Sequence, residues 1–261
     1  MIPRESLGGG YWREGARVFF GSHRVSTTSP DAFQFLGGSW ARDGDRVFNV
    51  GIPIRKADPG TFRVLNPLFA VDKAFVWYLG GRATQADAAS FETLDTGVHF
   101  RAPGASPYSF QGYARDARFV LHYTMTVGRP CVVRGAQRGS FQSLNGVFGR
   151  DAAGVFVDHR RIATAEPGTW IPLAGYYSRD ARSVFYGERL VKGADVDSFM
   201  CLVGRLPTWA RDRSHYYDVG VATTREAYLE ELSLTARSHA HLAERLAANE
   251  VSCQEHRFWP A

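Results

Sequence analysis

Seven acidic residues stand at a nearly fixed spacing along the 261-residue chain: Glu14, Asp43, Asp72, Asp116, Asp151, Asp180 and Asp212, in steps of 29, 29, 44, 35, 29 and 32. Carboxylates repeated in this way could be serial calcium ligands. Calcium needs several oxygen ligands close together, and the immediate neighbours here are mostly Ala, Arg, Lys and Gly, as in Tyr113-Ala-Arg-Asp116 and Tyr177-Ser-Arg-Asp180. A turn role fits better. Each acid opens a short polar connection such as Asp43-Gly44-Asp45-Arg46, flanked by β-branched and aromatic residues. An Asp there bonds the backbone N–H two residues on, and the flanks read as the two strands of a β-hairpin.

Other reactive groups form no stronger pattern. Cys253 and His256 with His239 and His241 could be drawn as a zinc site, but two histidines at i and i+2 on a helix point apart. Cys131 lies between Arg129 and Arg134, where a thiolate could be stabilised; an ordinary cysteine is the simpler reading. The chain holds no G-x-S-x-G, P-loop, H-E-x-x-H or C-x-x-C pattern. It is therefore expected to be no enzyme and to need neither metal nor cofactor.

The acids belong to a longer unit of about 29 residues that recurs seven times. Four residues after the acid comes Val18, Val47, Val76, Val120, Val155, Val184 or Tyr216; nineteen after it, in five units, comes Phe33, Phe62, Phe91, Trp170 or Phe199, while Phe141 and Tyr228 take that place at other spacings. A third extended piece is expected at Val25, Ile54, Val133, Ile162 and Leu190. Ala57-Asp58-Pro59-Gly60-Thr61-Phe62 then places Asp at an N-cap and Pro at the first helical position. A single helical turn should follow, burying Phe62 and then Leu65. Such a unit has more apolar surface than it can bury alone and must stack on its neighbours.

The pattern resembles the DKNYY family of bacterial repeat proteins, best in Phe69-Ala-Val-Asp-Lys-Ala-Phe-Val-Trp-Tyr78 and in Tyr177-Ser-Arg-Asp-Ala-Arg-Ser-Val-Phe-Tyr-Gly187 through Val191-Lys-Gly-Ala-Asp-Val-Asp-Ser-Phe199. The likeness covers about residues 11–232, with Arg mostly replacing the family Lys. It implies no catalytic residues. Some proteins of this kind are suspected to be immunity proteins encoded beside secreted antibacterial toxins.

Function is expected where the period breaks. The step of 44 leaves 15 extra residues within 95–112, and the next unit gains 6 more within 124–134. Long loops on rigid scaffolds often carry binding. Asp95, His99, Phe100, Arg101, Tyr108 and Arg129 are the candidate partner-binding residues, supplying aromatic and arginine anchors. Beyond residue 223 the β pattern gives way to an amphipathic helix over 224–248, with Thr224 as N-cap and Leu232, Ala236, Ala240 and Ala243 as its buried stripe. It should cap the last repeat.

The formal charge of +5 comes from 28 Arg against 3 Lys, spread over all units rather than clustered in a stripe. This argues against nucleic acid as the ligand. Three dispersed cysteines do not make a disulfide framework. No apolar signal region opens the chain, and no run approaches a membrane span. The expectation is a cytoplasmic, mainly β protein. Residues 1–223 form seven hairpin units in a curved array, with a closed seven-bladed propeller as the alternative, and 224–261 form a helical cap and tail. Its partner is expected to be a cognate protein toxin, in a one-to-one complex. A carbohydrate- or peptide-binding module using exposed aromatics is the alternative function.

Overall fold

The computed structural model describes residues 3–79, 81–99, 109–202 and 208–247. Over these residues the protein is mainly β, with seven antiparallel sheets and one C-terminal helix, α1 (Arg225–Ala247). Six sheets have four strands in chain order; the fourth sheet has a fifth. Two compact units are formed, one by Met1–Gly97 with Phe110–Val132, the other by Val98–Ser109 with Val133–Ala261.

The second sheet shows how sequence becomes structure. Its strands are Gln34–Gly37, Trp40–Arg42, Val47–Asn49 and Ile52–Pro53. The acid-centred hairpin supplies the middle pair, with Arg42 opposite Val47 and Trp40 opposite Asn49. The extended piece after it is the fourth strand. The first strand was not expected: it follows the recurring aromatic, as Arg63–Val64 follows Phe62 and pairs with Ala70 and Val71 of the third sheet. The expected single helical turn closes before Phe62 instead of running on to Leu65. A 3-10 turn forms at Pro30–Ala32, while at Asp58 a single turn closes, Thr61 N–H to Asp58 C=O at 3.3 Å. Leu65 consequently follows a strand and is half-buried, and Leu144 is exposed. Asp58 does cap that turn, accepting from the N–H of Gly60 and Thr61 at 2.9 and 3.1 Å.

Within each unit, successive sheets are joined by one repeated sandwich. Tyr11, Val18 and Val25 of the first sheet meet Ala41 and Phe48 of the second around Phe33. Trp40, Val47 and Ile54 meet Ala70 and Trp77 around Phe62. Tyr177, Val184 and Val191 meet Ala210 and Tyr217 around Phe199. The recurring aromatic is thus a plug between sheets. Phe62, Phe91, Phe141 and Trp170 are buried, whereas Phe33 and Phe199 are half-buried. The inner member of the fourth-strand pattern in the sixth sheet is Val191, not Leu190, which is 50% exposed. A small residue two before each of the six recurring Asp residues leaves room for the plug. At Gly149 a Cβ would come within 2.3 Å of the Phe141 ring.

The recurring Asp ties the frame together from a buried position. Asp180 is 3% exposed. Its Oδ1 accepts from the N–H of Arg182 and Ser183 at 2.8 and 2.7 Å, closing the hairpin turn, and its Oδ2 accepts from the N–H of Glu166 at 2.9 Å, in the link from the preceding sheet. Asp43, Asp72, Asp116, Asp151 and Asp212 bond in the same way, to Thr28, Asp58, Asp87, Gln137 and Asp195 respectively. Burial works against the Asp212 charge, but donors from Asp195, Ser214, Tyr217 and His215 outweigh it and lower its pKa to about 2. These oxygens face mainly backbone donors, the turn role read from the sequence, with Thr27, Trp77 and Tyr217 side chains added at Asp43, Asp72 and Asp212.

Helix α1 is capped as expected, Ala227 N–H bonding Thr224 Oγ1 at 3.2 Å. Its packed face is different from the one expected. Tyr228, Glu231 and Thr235 are buried, while Leu232 and Ala236 are exposed; the side chains of Ala240 and Ala243 lie outside the described residues. The reason is Tyr228, which packs on Trp209 and Tyr216 at ring distances of 6.5 and 5.0 Å. It fills the place a plug would take on the last sheet and sets the rotation of the helix.

Candidate functional site

The fourth sheet carries both breaks in the period, and a single turn explains the larger one. In the third sheet Asn66 closes the turn between the first two strands, its Oδ1 accepting from the N–H of Leu68 and Phe69, both at 2.9 Å. Asn145 does the same in the fifth, toward Val147 and Phe148. In the fourth sheet Asp95 holds this position. Its Oδ1 accepts from Gly97 N–H at 2.9 Å, and its Oδ2 from Tyr113 N–H at 2.8 Å. The second donor is eighteen residues on rather than three. The difference of fifteen is the whole insertion.

The insertion therefore comprises residues 98–112, an outgrowth from an otherwise ordinary turn. Leu94 N–H bonds Tyr113 C=O at 2.9 Å, as Leu65 bonds Phe69 and Leu144 bonds Phe148. Gly112 permits the closure, since a Cβ there would lie 2.2 Å from Asp95 Oδ1. Asn66 Nδ2 also bonds Asp95 C=O at 3.2 Å, tying the two turns together.

The smaller insertion lies between the third and fourth strands. In the second sheet Asn49 pairs with Ile52, leaving a two-residue turn. In the fourth, His122 pairs with Cys131 and the turn is six residues longer. Turns alternate between the two ends of a sheet whose strands run in chain order, so both outgrowths are rooted at the same end. The acid-centred turn Asp116–Phe119 closes the other end.

The hairpin between these roots is lengthened to match. Its strands run Ser109–Arg115 and Val120–Thr124, paired as far as Gln111 with Thr124. Gln111, Gly112, Tyr123 and Thr124 are buried, so the extension is packed rather than loose. The added turn is held by Gly128 N–H to Thr124 C=O at 2.9 Å, and from outside by Gln85 Nε2 to Pro130 C=O at 2.7 Å. It presents Met125, 61% exposed, with Val127 and Arg129 also in solvent.

The candidates thus separate. Arg129 is on the surface of the shorter outgrowth. Asp95 belongs to the frame, its carboxylate directed to backbone donors and half-buried. His99 lies in the short strand Val98–His99, and its side chain is outside the described residues, as are Phe100, Arg101 and Tyr108 entirely. Met125 and Val127 were not among the expected site residues; apolar side chains in a long turn are the signal that could have marked them.

Cys131 and Cys201 are free and half-buried, and burial pushes the Cys201 thiol upward, the opposite of activation. Among the described residues no three His, Cys, Asp or Glu side chains gather as metal ligands, and no helix is long and apolar enough to cross a membrane. Cys253 and His256 lie outside the described residues, and so do the side chains of His239 and His241. No family model matches the chain, and neither a curated protein nor a solved structure matches it.

Proposed function

We propose that this is a non-enzymatic protein-binding repeat protein, an immunity protein that binds and neutralises a toxin made by its own bacterium, acting in the cytoplasm. The observation that carries the reading is the rooting of both period-breaking segments at one end of one sheet, on turns whose backbone closure is the same as in the regular repeats. Such outgrowths can change in sequence while the frame stays fixed, which recognition of one particular partner requires. The exposed Met125, Val127 and Arg129 are of types suited to an interface core and its edge. The DKNYY-like pattern supports the toxin as the partner. Co-expression with the product of a neighbouring toxin gene is the test: a one-to-one complex should form with the whole chain and be lost when residues 98–112 are removed. An unweakened complex would move the interface elsewhere.

For the architecture, the proposal is an open curved array rather than a closed propeller, because the first and last sheets have covers of their own, Trp12 and Tyr228. Small-angle scattering distinguishes the two.

One observation favours a second reading, a carbohydrate- or peptide-binding module. On the first sheet Trp12 stacks on Phe19 at 4.2 Å and 8°, with the Arg4 guanidinium 4.5 Å from the Trp12 ring. These residues, with Glu14 and Ser22, line a shallow cavity of about 440 Å³. Glycan-array binding lost on Trp12→Ala would support this reading over the first.

A further inference from the structure

In each sandwich, the face of a sheet bearing its second-strand aromatic is covered by the next sheet; Trp40 and Val47, for example, lie under Ala70 and Trp77. Among the described residues the seventh sheet has no successor. Tyr228 of α1 covers Trp209 and Tyr216, but beside it a groove of about 410 Å³ remains, lined by Met200, Arg211, Tyr216, Arg225, Leu229 and Leu232 among others. Met200 is 57% exposed, Leu229 41% and Leu232 40%. Together they form an apolar strip along the edge strand Met200–Cys201.

The charge beside this strip differs from that in four of the other sheets; in the sixth, Arg179 likewise faces an apolar residue, Ile171, but bonds Val196 C=O at 3.3 Å. The arginine before the acid usually faces a polar partner on the first strand. Arg13 bonds Glu5 at 2.7 Å, Arg42 bonds Gln34 at 3.0 Å, and Arg115 bonds Glu92. In the seventh sheet the register sets Met200 opposite Arg211. The guanidinium meets its Sδ at 3.9 Å and also bonds the Tyr228 hydroxyl. Among the described residues neither Arg211 nor Arg225 joins an ion pair.

We infer that this groove binds a peptide segment of a partner protein in which carboxylates alternate with apolar side chains. Asp or Glu side chains engage Arg211 and Arg225, in place of the acid that the first strand lacks, while Leu- or Phe-like side chains cover Met200, Leu229 and Leu232. A groove that leaves the side chains of its apolar strip 40–57% exposed suits a peptide better than a small molecule, which needs enclosure to bury most of its surface. Guanidinium pairs with carboxylates at an apolar edge give direction as well as affinity. The inference stands without the immunity reading, since none of its residues lies in the fourth sheet.

The test uses the whole chain and a labelled dodecapeptide of the repeat Leu-Glu-Glu-Leu, with a counterpart in which Lys replaces Glu. Fluorescence anisotropy should show binding of the Glu peptide alone, weakened by salt and reduced about tenfold or more in an Arg211→Gln, Arg225→Gln double variant. Both arginines are exposed, so circular dichroism of the variant should be unchanged. Equal binding of the Lys peptide, no binding at all, or no effect of the double variant would overturn the inference. So would displacement of the peptide by phosphatidylglycerol vesicles, which would give the arginines to a lipid surface. Binding seen only after truncation beyond Ala247 would also overturn it, by assigning the groove to the chain's own last residues.

Discussion

The third and fourth sheets are built on the same turn with very different contents. Asn66 bridges three residues and Asp95 bridges eighteen, yet the backbone pairs that follow, Leu65 with Phe69 and Leu94 with Tyr113, are equivalent. The closure is made by a side chain at the root, so the length between the two donors has little bearing on the frame. The six-residue gain before Cys131, at the same end of the sheet, likewise leaves the pairing below it unchanged, His122 standing opposite Cys131 as Asn49 stands opposite Ile52. Growth is tolerated at that end because the other end is occupied: there the buried Asp holds both the hairpin turn and the link from the preceding sheet, and extra residues would break that joint.

The largest effect should come from the frame. Phe62→Ala removes a plug that is 5% exposed between Trp40 and Trp77 and should cost ~3–5 kcal/mol. Denaturant titration measures it, and a loss below ~1 kcal/mol would mean that successive sheets do not depend on the plug. Next is the acid slot. Asp212→Ala strands the N–H groups of Asp195, Ser214 and His215 and should cost ~2–4 kcal/mol near neutral pH. The folded pKa is lowered, so this stabilisation is present above the unfolded value near 3.8 and is lost as pH falls through about 2. The difference between wild type and variant should narrow over that range; a difference independent of pH would contradict a charged acceptor.

A smaller effect of opposite sign is expected at Ser178. It occupies the small-residue position held by Ala41, Ala70, Ala114 and Ala210, is fully buried, and its hydroxyl has no partner. Ser178→Ala should stabilise the protein by ~0.5–1.5 kcal/mol in thermal unfolding. Destabilisation would show that the slot tests more than size.

Much of this frame was legible in the sequence because period, turn chemistry and aromatic spacing all follow from local rules. The Asp turns, the N-caps at Asp58 and Thr224, and the place of both insertions could be read directly. The first strand of each sheet could not, since Arg63–Val64 is two residues long and pairs only through the backbone of a hairpin already formed. The spacing from Phe62 to Leu65 mimicked a helix, although Phe62 follows a turn and Leu65 a strand. The buried face of α1 was misread from Leu232 and its spacing, because Tyr228 needs the socket on the last sheet and tertiary packing overrides the apolar stripe. Asp95 looked like a surface residue of a loop; its kinship with Asn66 and Asn145 becomes visible only when the donor eighteen residues away is seen.

Two deletion variants test the central claim that the long insertion is an outgrowth on an intact repeat turn. One removes residues 98–112 and joins Gly97 to Tyr113, keeping Asp95 within reach of both its donors; the other replaces 95–112 by a short Gly/Ser link. Denaturant titration should find the first variant cooperatively folded and more stable than the second by ~1–3 kcal/mol, the value of the carboxylate's hydrogen bonds to Gly97 and Tyr113. Equal stabilities, or a first variant that fails to fold, would contradict the account.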